Sequence, residues 1–182
     1  MLELITHFMA NSLEITSVPH KIPVIKDGYK IKAKGVYNLE DLYIELSQWF
    51  FHMGYAWKEL EYKVITGKGG LQRSEILWQG IKKIDDYSTF VIRLNLGADI
   101  TDVEVTMDNG GKVKRQKGTL EFRSEAYIQR DVNVWKNKFM GNVLAKLYEI
   151  LSRERLRAQV LQLYGESHKL YDELKAFMMI YR

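Results

Sequence analysis

The chain has 182 residues, 46% hydrophobic and 27% charged, with a formal net charge of +4; that balance suits one folded domain with a mixed surface and excludes disordered and collagen-like classes. It contains no cysteine, which removes disulfides, thiolate metal sites and cysteine nucleophiles together. With 2 prolines and 13 glycines, no flexible or Pro-rich linker divides it.

The opening MLELITHFMANSLEI carries Glu3 and no basic region, so it does not fit a secretory signal. No uncharged run is long enough to cross a bilayer. Together these point to a cytoplasmic protein with no membrane span. Residues 1–26, punctuated by Pro19 and Pro23, are expected to form an N-terminal arm,.

Residues 27–151 are expected to form an α+β domain. Tyr29 to Lys34 alternates and ends at Gly35, the pattern of a strand,. Asn38 then stands as a helix N-cap, with Glu40 and Asp41 in the first turn where the helix dipole favours acids,. Leu39, Leu42, Tyr43, Leu46, Trp49, Phe50 and Met53 follow at helical spacing, and Gly54 is a natural stop,.

From Trp57 the period changes to two. Leu60, Tyr62 and Val64 alternate with Glu59, Glu61 and Lys63; Glu75 to Ile81, Phe90 to Leu96, Thr101 to Met107 and Leu120 to Ile128 continue in the same manner,. Asp85-Asp86, Gly97-Ala98-Asp99 and Asp108-Asn109-Gly110-Gly111 punctuate them as turns,. The stretch TGKGGLQRS (Thr66 to Ser74) resembles a phosphate loop only in having a lysine among glycines. A phosphate loop needs a helix behind it and a closing Gly-Lys-Ser/Thr. Strand-like flanks make this one a hairpin turn.

From Asn133 the chain becomes helical. Trp135, Phe139, Val143, Leu147 and Ile150 or Leu151 form one apolar stripe, expected to pack on the sheet,. In residues 152–182, a C-terminal helical extension, a second stripe follows steps of four and three: Leu156, Val160, Leu163, Ser167, Leu170, Leu174, Phe177 and Tyr181,. Gly165 either breaks this segment into a helical hairpin or sits in one continuous helix,. The second stripe is out of phase with the first. It faces either its own domain or another subunit.

No pattern marks a catalytic centre, cofactor or metal. His7, His20, His52 and His168 lack metal-ligand spacing, no GxSxG occurs, and Asp102 with Glu104 suits the wet face of a strand,. His168, in a charged stretch, is expected to be solvated. Two basic clusters stand out. Lys112, Lys114, Arg115 and Lys117 follow the Asn-Gly turn, and Arg153, Arg155 and Arg157 open the last helix. A basic hairpin beside a basic helix is a layout that can grip phosphates.

The fold class expected is α+β: an antiparallel meander of about six strands, one helix after the first strand, and a long C-terminal helical region. This order is similar to the helix-grip architecture, a curved antiparallel sheet around a long C-terminal helix. The likeness lies in element order across residues 27–151, and it carries no function by itself. Three readings follow. The first is a non-enzymatic assembly protein, a homo-oligomer that self-associates through Leu156, Val160, Leu163, Leu170, Leu174, Phe177 and Tyr181. The second is an RNA- or ribosome-associated protein using the two basic clusters. The third is a binder of small apolar ligands between sheet and helix, lined from Trp49, Phe50, Phe51, Tyr55, Trp57, Trp78 and Phe90.

Overall fold

The structure is a computed structural model and describes residues 20–67, 70–106, 111–131, 143, 147–148 and 150–180. Among the described residues alternating sequence produces five strands: β1 (Lys21–Tyr37), β2 (Ala56–Thr66), β3 (Gln72–Lys83), β4 (Ser88–Thr106) and β5 (Lys112–Arg130). All pair antiparallel in the order β1-β5-β4-β3-β2. Helix α1 (Leu39–His52) connects β1 at one edge to β2 at the other. The chain then returns as a meander to β5, beside β1, and ends in helix α2 (Arg153–Ile180). The α+β class, the antiparallel sheet, the single helix after the first strand and the C-terminal helix all match expectation.

Two segments expected to be separate strands, 90–96 and 101–107, belong to one, which runs to Thr106. Gly97, Ala98 and Asp99 pair with Glu121, Leu120 and Thr119 inside β4 instead of turning. Gly and Asp favour turns, yet the alternation of Leu94, Leu96, Ala98 and Ile100 runs on unbroken, and all four are buried. Burial on one face outweighs local turn preference. Residues 21–26, expected in the arm, belong to β1. Pro23 is tolerated there because β1 is an edge strand,.

Asn38 occupies the N-cap with extended backbone but makes no side-chain cap bond. The Leu39 N–H instead donates to Gln116 Oε1 of β5, at 3.3 Å. Gly54 ends α1 as expected, at φ 78°. Its N–H donates to Phe51 O (3.0 Å) and the Tyr55 N–H to Phe50 O (2.8 Å), the paired bonds of a Schellman end. Thr66–Gly67 and Gly70–Gln72 close the β2–β3 hairpin, with Gly67 N–H donating to Leu71 O. Both flanks of TGKGGLQRS are therefore strands. The Asn109-Gly110 turn lies outside the described residues.

Both helices cover one face of the sheet. Leu42, Leu46 and Phe50 of α1 and Leu163, Leu170, Leu174, Phe177 and Met178 of α2 join Trp78, Phe90, Ile92, Leu94, Leu120, Phe122 and Ile128 in one core. The other face is largely charged. Arg123 and Lys30 hold the Glu121 carboxyl down to about 2, and Arg73 pairs with Asp99 at 2.7 Å.

Helix α2 is continuous through Gly165. Its stripe faces its own sheet: Leu163, Leu170, Leu174 and Phe177 are 0–3% exposed, and Leu156 and Val160 pack against the same core. Tyr181 lies outside the described residues. Burying one such side chain stabilises by roughly 1.5–3 kcal/mol, so Leu163, Leu170, Leu174 and Phe177 are satisfied within the chain. The first stripe behaves in the opposite way. Val143, Leu147, Ile150 and Leu151 are at least half exposed, and Trp135 and Phe139 lie outside the described residues. A stripe shows that a helix face wants covering, not which partner covers it.

Candidate functional site

The inner face of the sheet changes in side-chain size along its length, and this shapes the site. Toward the end of α1, large aromatic rings fill the space. Trp78 stacks on Trp57 with centroids 5.4 Å apart, Phe50 approaches Trp57 at 4.6 Å, and Trp49 stacks on Tyr55 at 6.3 Å. Trp49, Phe50, Tyr55 and Trp57 are absent from the lining of the cleft that opens on this face, while Trp78 faces it. Phe51 is exposed and Phe90 is buried elsewhere in the sheet.

Beyond Trp78 the inward side chains of β3 and β4 become smaller. The next inward residue pairs are Ile76 opposite Leu96 and Ser74 opposite Ala98. Small side chains at Ser74 and Ala98 leave the first turns of α1 without a partner to fill the gap. The result is an open cleft of about 430 Å³ between α1 and strands β2 to β4, within the size range of small-molecule sites. Leu39, Leu42, Tyr43 and Ile44 form its helix wall, Ile76, Leu96, Ala98 and Trp78 its floor, and Tyr62 its outer side.

The cleft is mostly apolar with few polar groups. Ser74 is buried in its floor. Glu40 is the one charged residue in its lining. Glu59 Oε2 accepts from Tyr43 Oη at 3.0 Å and from Trp78 Nε1 at 3.3 Å, which fixes one ring of the wall and one of the floor. Burial, reinforced by the Glu59 carboxylate, raises the Tyr43 hydroxyl pKa. Tyr43 therefore stays a neutral donor. Periodicity could not reveal this cleft, because it depends on which small residues become cross-strand neighbours.

A second polar group joins α2 to the sheet. Glu166, buried, accepts from Lys82 Nζ (2.8 Å), Gln162 Nε2 (2.9 Å) and Tyr55 Oη (2.5 Å). Burial pushes the Glu166 carboxyl up, but these three donors more than offset it and its pKa lies below the ordinary value. Burial also raises the Tyr55 hydroxyl, with the Glu166 carboxylate adding to it. All three are absent from the lining of the cleft, and with its acceptor sites engaged the group works as a peg.

Asp85 holds the other end of α2. Its Oδ1 accepts from the Tyr87 and Ser88 N–H groups (2.8 and 2.6 Å), and its Oδ2 from Gln159 Nε2 (3.1 Å) and Arg155 (3.0 Å). His168, expected to be solvated, is half-buried and meets Tyr29 Oη at 2.5 Å, because α2 lies against β1. Burial pushes the Tyr29 hydroxyl up to about 12. Among the described residues no three histidine or acidic side chains converge as metal ligands.

The two basic clusters do not meet. Lys112, Lys114, Arg115 and Lys117 lie on β5 near the far end of β4, where Lys114 pairs with Glu104 and Lys112 approaches Glu104 at 3.6 Å. Arg153, Arg155 and Arg157 open α2 beside Asp85, at the near end of β4. Ser88 and Glu104 lie sixteen positions apart along β4, roughly 50 Å at about 3.3 Å per residue. Arg155 is already paired. No helix among the described residues is long and apolar enough to cross a membrane.

No family model matches this chain, and no curated protein matches it in sequence.

Proposed function

We propose that the protein binds a small, predominantly apolar molecule in the cleft between α1 and the sheet. One observation carries this reading: an apolar opening of about 430 Å³ persists at Ser74 and Ala98 in an otherwise closely packed core. Packed interiors leave few voids larger than a water molecule, and concave apolar sites with a few polar groups are the usual form of small-molecule sites. The lining also indicates the ligand's charge. It contains Glu40 and no lysine or arginine, so a carboxylate or phosphate would enter without a counter-ion. The ligand is therefore neutral, with an apolar body and a hydroxyl or carbonyl group for the Ser74 or tyrosine hydroxyls.

Titration with the neutral dye N-phenylnaphthylamine tests this. Saturable fluorescence enhancement at one site per chain, displaced by a long-chain alcohol and poorly by the matching carboxylate, is the expected result. Absence of saturable binding removes the reading.

A further inference from the structure

The edge of the sheet at β2 is unlike the rest of the molecule. Its burial is exposed almost throughout Ala56–Thr66. Among the described residues it hydrogen-bonds to one strand, β3. Four of its apolar side chains face water: Leu60 is 41% exposed, Tyr62 60%, Val64 42% and Ile65 65%. A long edge strand with exposed apolar residues is a template for pairing with another chain. The bulge between Glu59 and Glu61 lies at one side and leaves Glu61–Thr66 regular.

We propose that β2 pairs antiparallel with β2 of a second copy about a two-fold axis at Tyr62, joining two five-stranded sheets into one of ten. The strand's own sequence selects this occupant. A two-fold at Tyr62 sets Glu61 against Lys63 of the second copy, twice, with the two Tyr62 rings adjacent, and the pairing ends where the bulge begins at Leu60. Neighbouring registers are worse. A two-fold at Glu61 or Lys63 sets like charges against each other, and one at Leu60 is centred on the bulge. Directly opposed charges and apolar pairs are the unit of sheet stabilisation, and like charges in those positions destabilise. An isologous contact of this kind closes as a dimer. Tyr62 shares a face with Ile76 and lines the cleft, so the second copy's Tyr62 stands at the cleft mouth. The dimer rests on the edge, not on any ligand, and either proposal survives the failure of the other.

The absence of cysteine from the chain makes the register directly testable. In Tyr62→Cys the two introduced thiols face each other with Cα atoms about 5 Å apart, inside disulfide range. In Val64→Cys they are about 13 Å apart and outside it. Mild oxidation of the full chain is expected to give a covalent dimer from Tyr62→Cys and none from Val64→Cys. By light scattering the wild type is expected to show a mass twice its 21.4 kDa at high concentration. Glu61→Lys weakens the dimer about tenfold, and adding Lys63→Glu restores it. Both residues are exposed, so circular dichroism of these variants stays that of the wild type. A monomer at every concentration overturns the proposal, as does equal crosslinking from both cysteine variants or a Glu61→Lys dimer of unchanged strength.

Discussion

The ring of Phe50 lies directly over Gly80, so close that a Cβ at position 80 would stand 2.3 Å from Phe50 Cε1 and 2.4 Å from Cδ1. Phe50 is fully buried and packed against Tyr55 and Trp57. The missing side chain on β3 is what lets the last turn of α1 settle onto the sheet.

Gly80→Ala is therefore expected to destabilise although alanine suits a strand no worse than glycine. The ring has no empty space to move into, and overpacking a closed core costs about 1–3 kcal/mol. Urea unfolding should show a lower midpoint at unchanged slope. Phe50→Leu in the same chain should recover part of the loss, because residues in contact couple. Strictly additive effects of the two substitutions would show that they do not share this contact.

Glu166 predicts the acid behaviour. Its folded pKa lies below its ordinary value of 4.5. Such a group contributes stability that is present above the unfolded pKa and lost as pH falls through the folded one. The loss therefore belongs below about pH 4.5. Glu166→Gln leaves Lys82 half-buried without its anion and is expected to cost about 2 kcal/mol at neutral pH. Thermal unfolding across pH 3 to 7 checks both points: the difference between wild type and variant should shrink toward the acid end. A constant difference would mean that ionisation of Glu166 does not matter.

Much of this fold is visible in the residues themselves. The alternation in Glu75–Ile81 and Leu120–Ile128 and the helical spacing from Leu39 to Met53 identify elements, because burial on one face forces a period. Gly97-Ala98-Asp99 misleads, since its composition favours a turn while its neighbours continue the alternation. Asn38 misleads in another way: Gln116, 77 residues from Leu39 in sequence, accepts from the Leu39 N–H in its place. The stripe from Leu156 to Phe177 shows that a face is buried without showing against what. The cleft is invisible because Ser74 and Ala98 are unremarkable alone and matter only once β3 and β4 are in register.

Gly165 gives the simplest prediction. It lies inside continuous α2, and a Cβ there meets nothing within 4 Å. Its φ is not in the left-handed region. Alanine keeps the helix and restricts the unfolded chain, so Gly165→Ala should stabilise by about 0.5–1 kcal/mol. A raised melting temperature by calorimetry is the expected outcome. Destabilisation would mean that the chain bends at this position.

Ala98→Leu separates the cleft from the fold. Ala98 is buried opposite Ser74 and lines the floor of the opening. A leucine there reaches into vacant space, so it adds apolar burial of roughly 1–2 kcal/mol in place of the overpacking expected at Gly80. The same atoms occupy the volume a ligand needs. The variant should therefore melt at or above the wild-type temperature while losing saturable binding of the neutral dye. Stability and binding moving in opposite directions is the signature of a cleft kept open at the expense of packing. If Ala98→Leu instead bound the dye as the wild type does, the ligand site would lie elsewhere. If it melted well below the wild type, the gap at Ser74 and Ala98 would be too small for a leucine side chain.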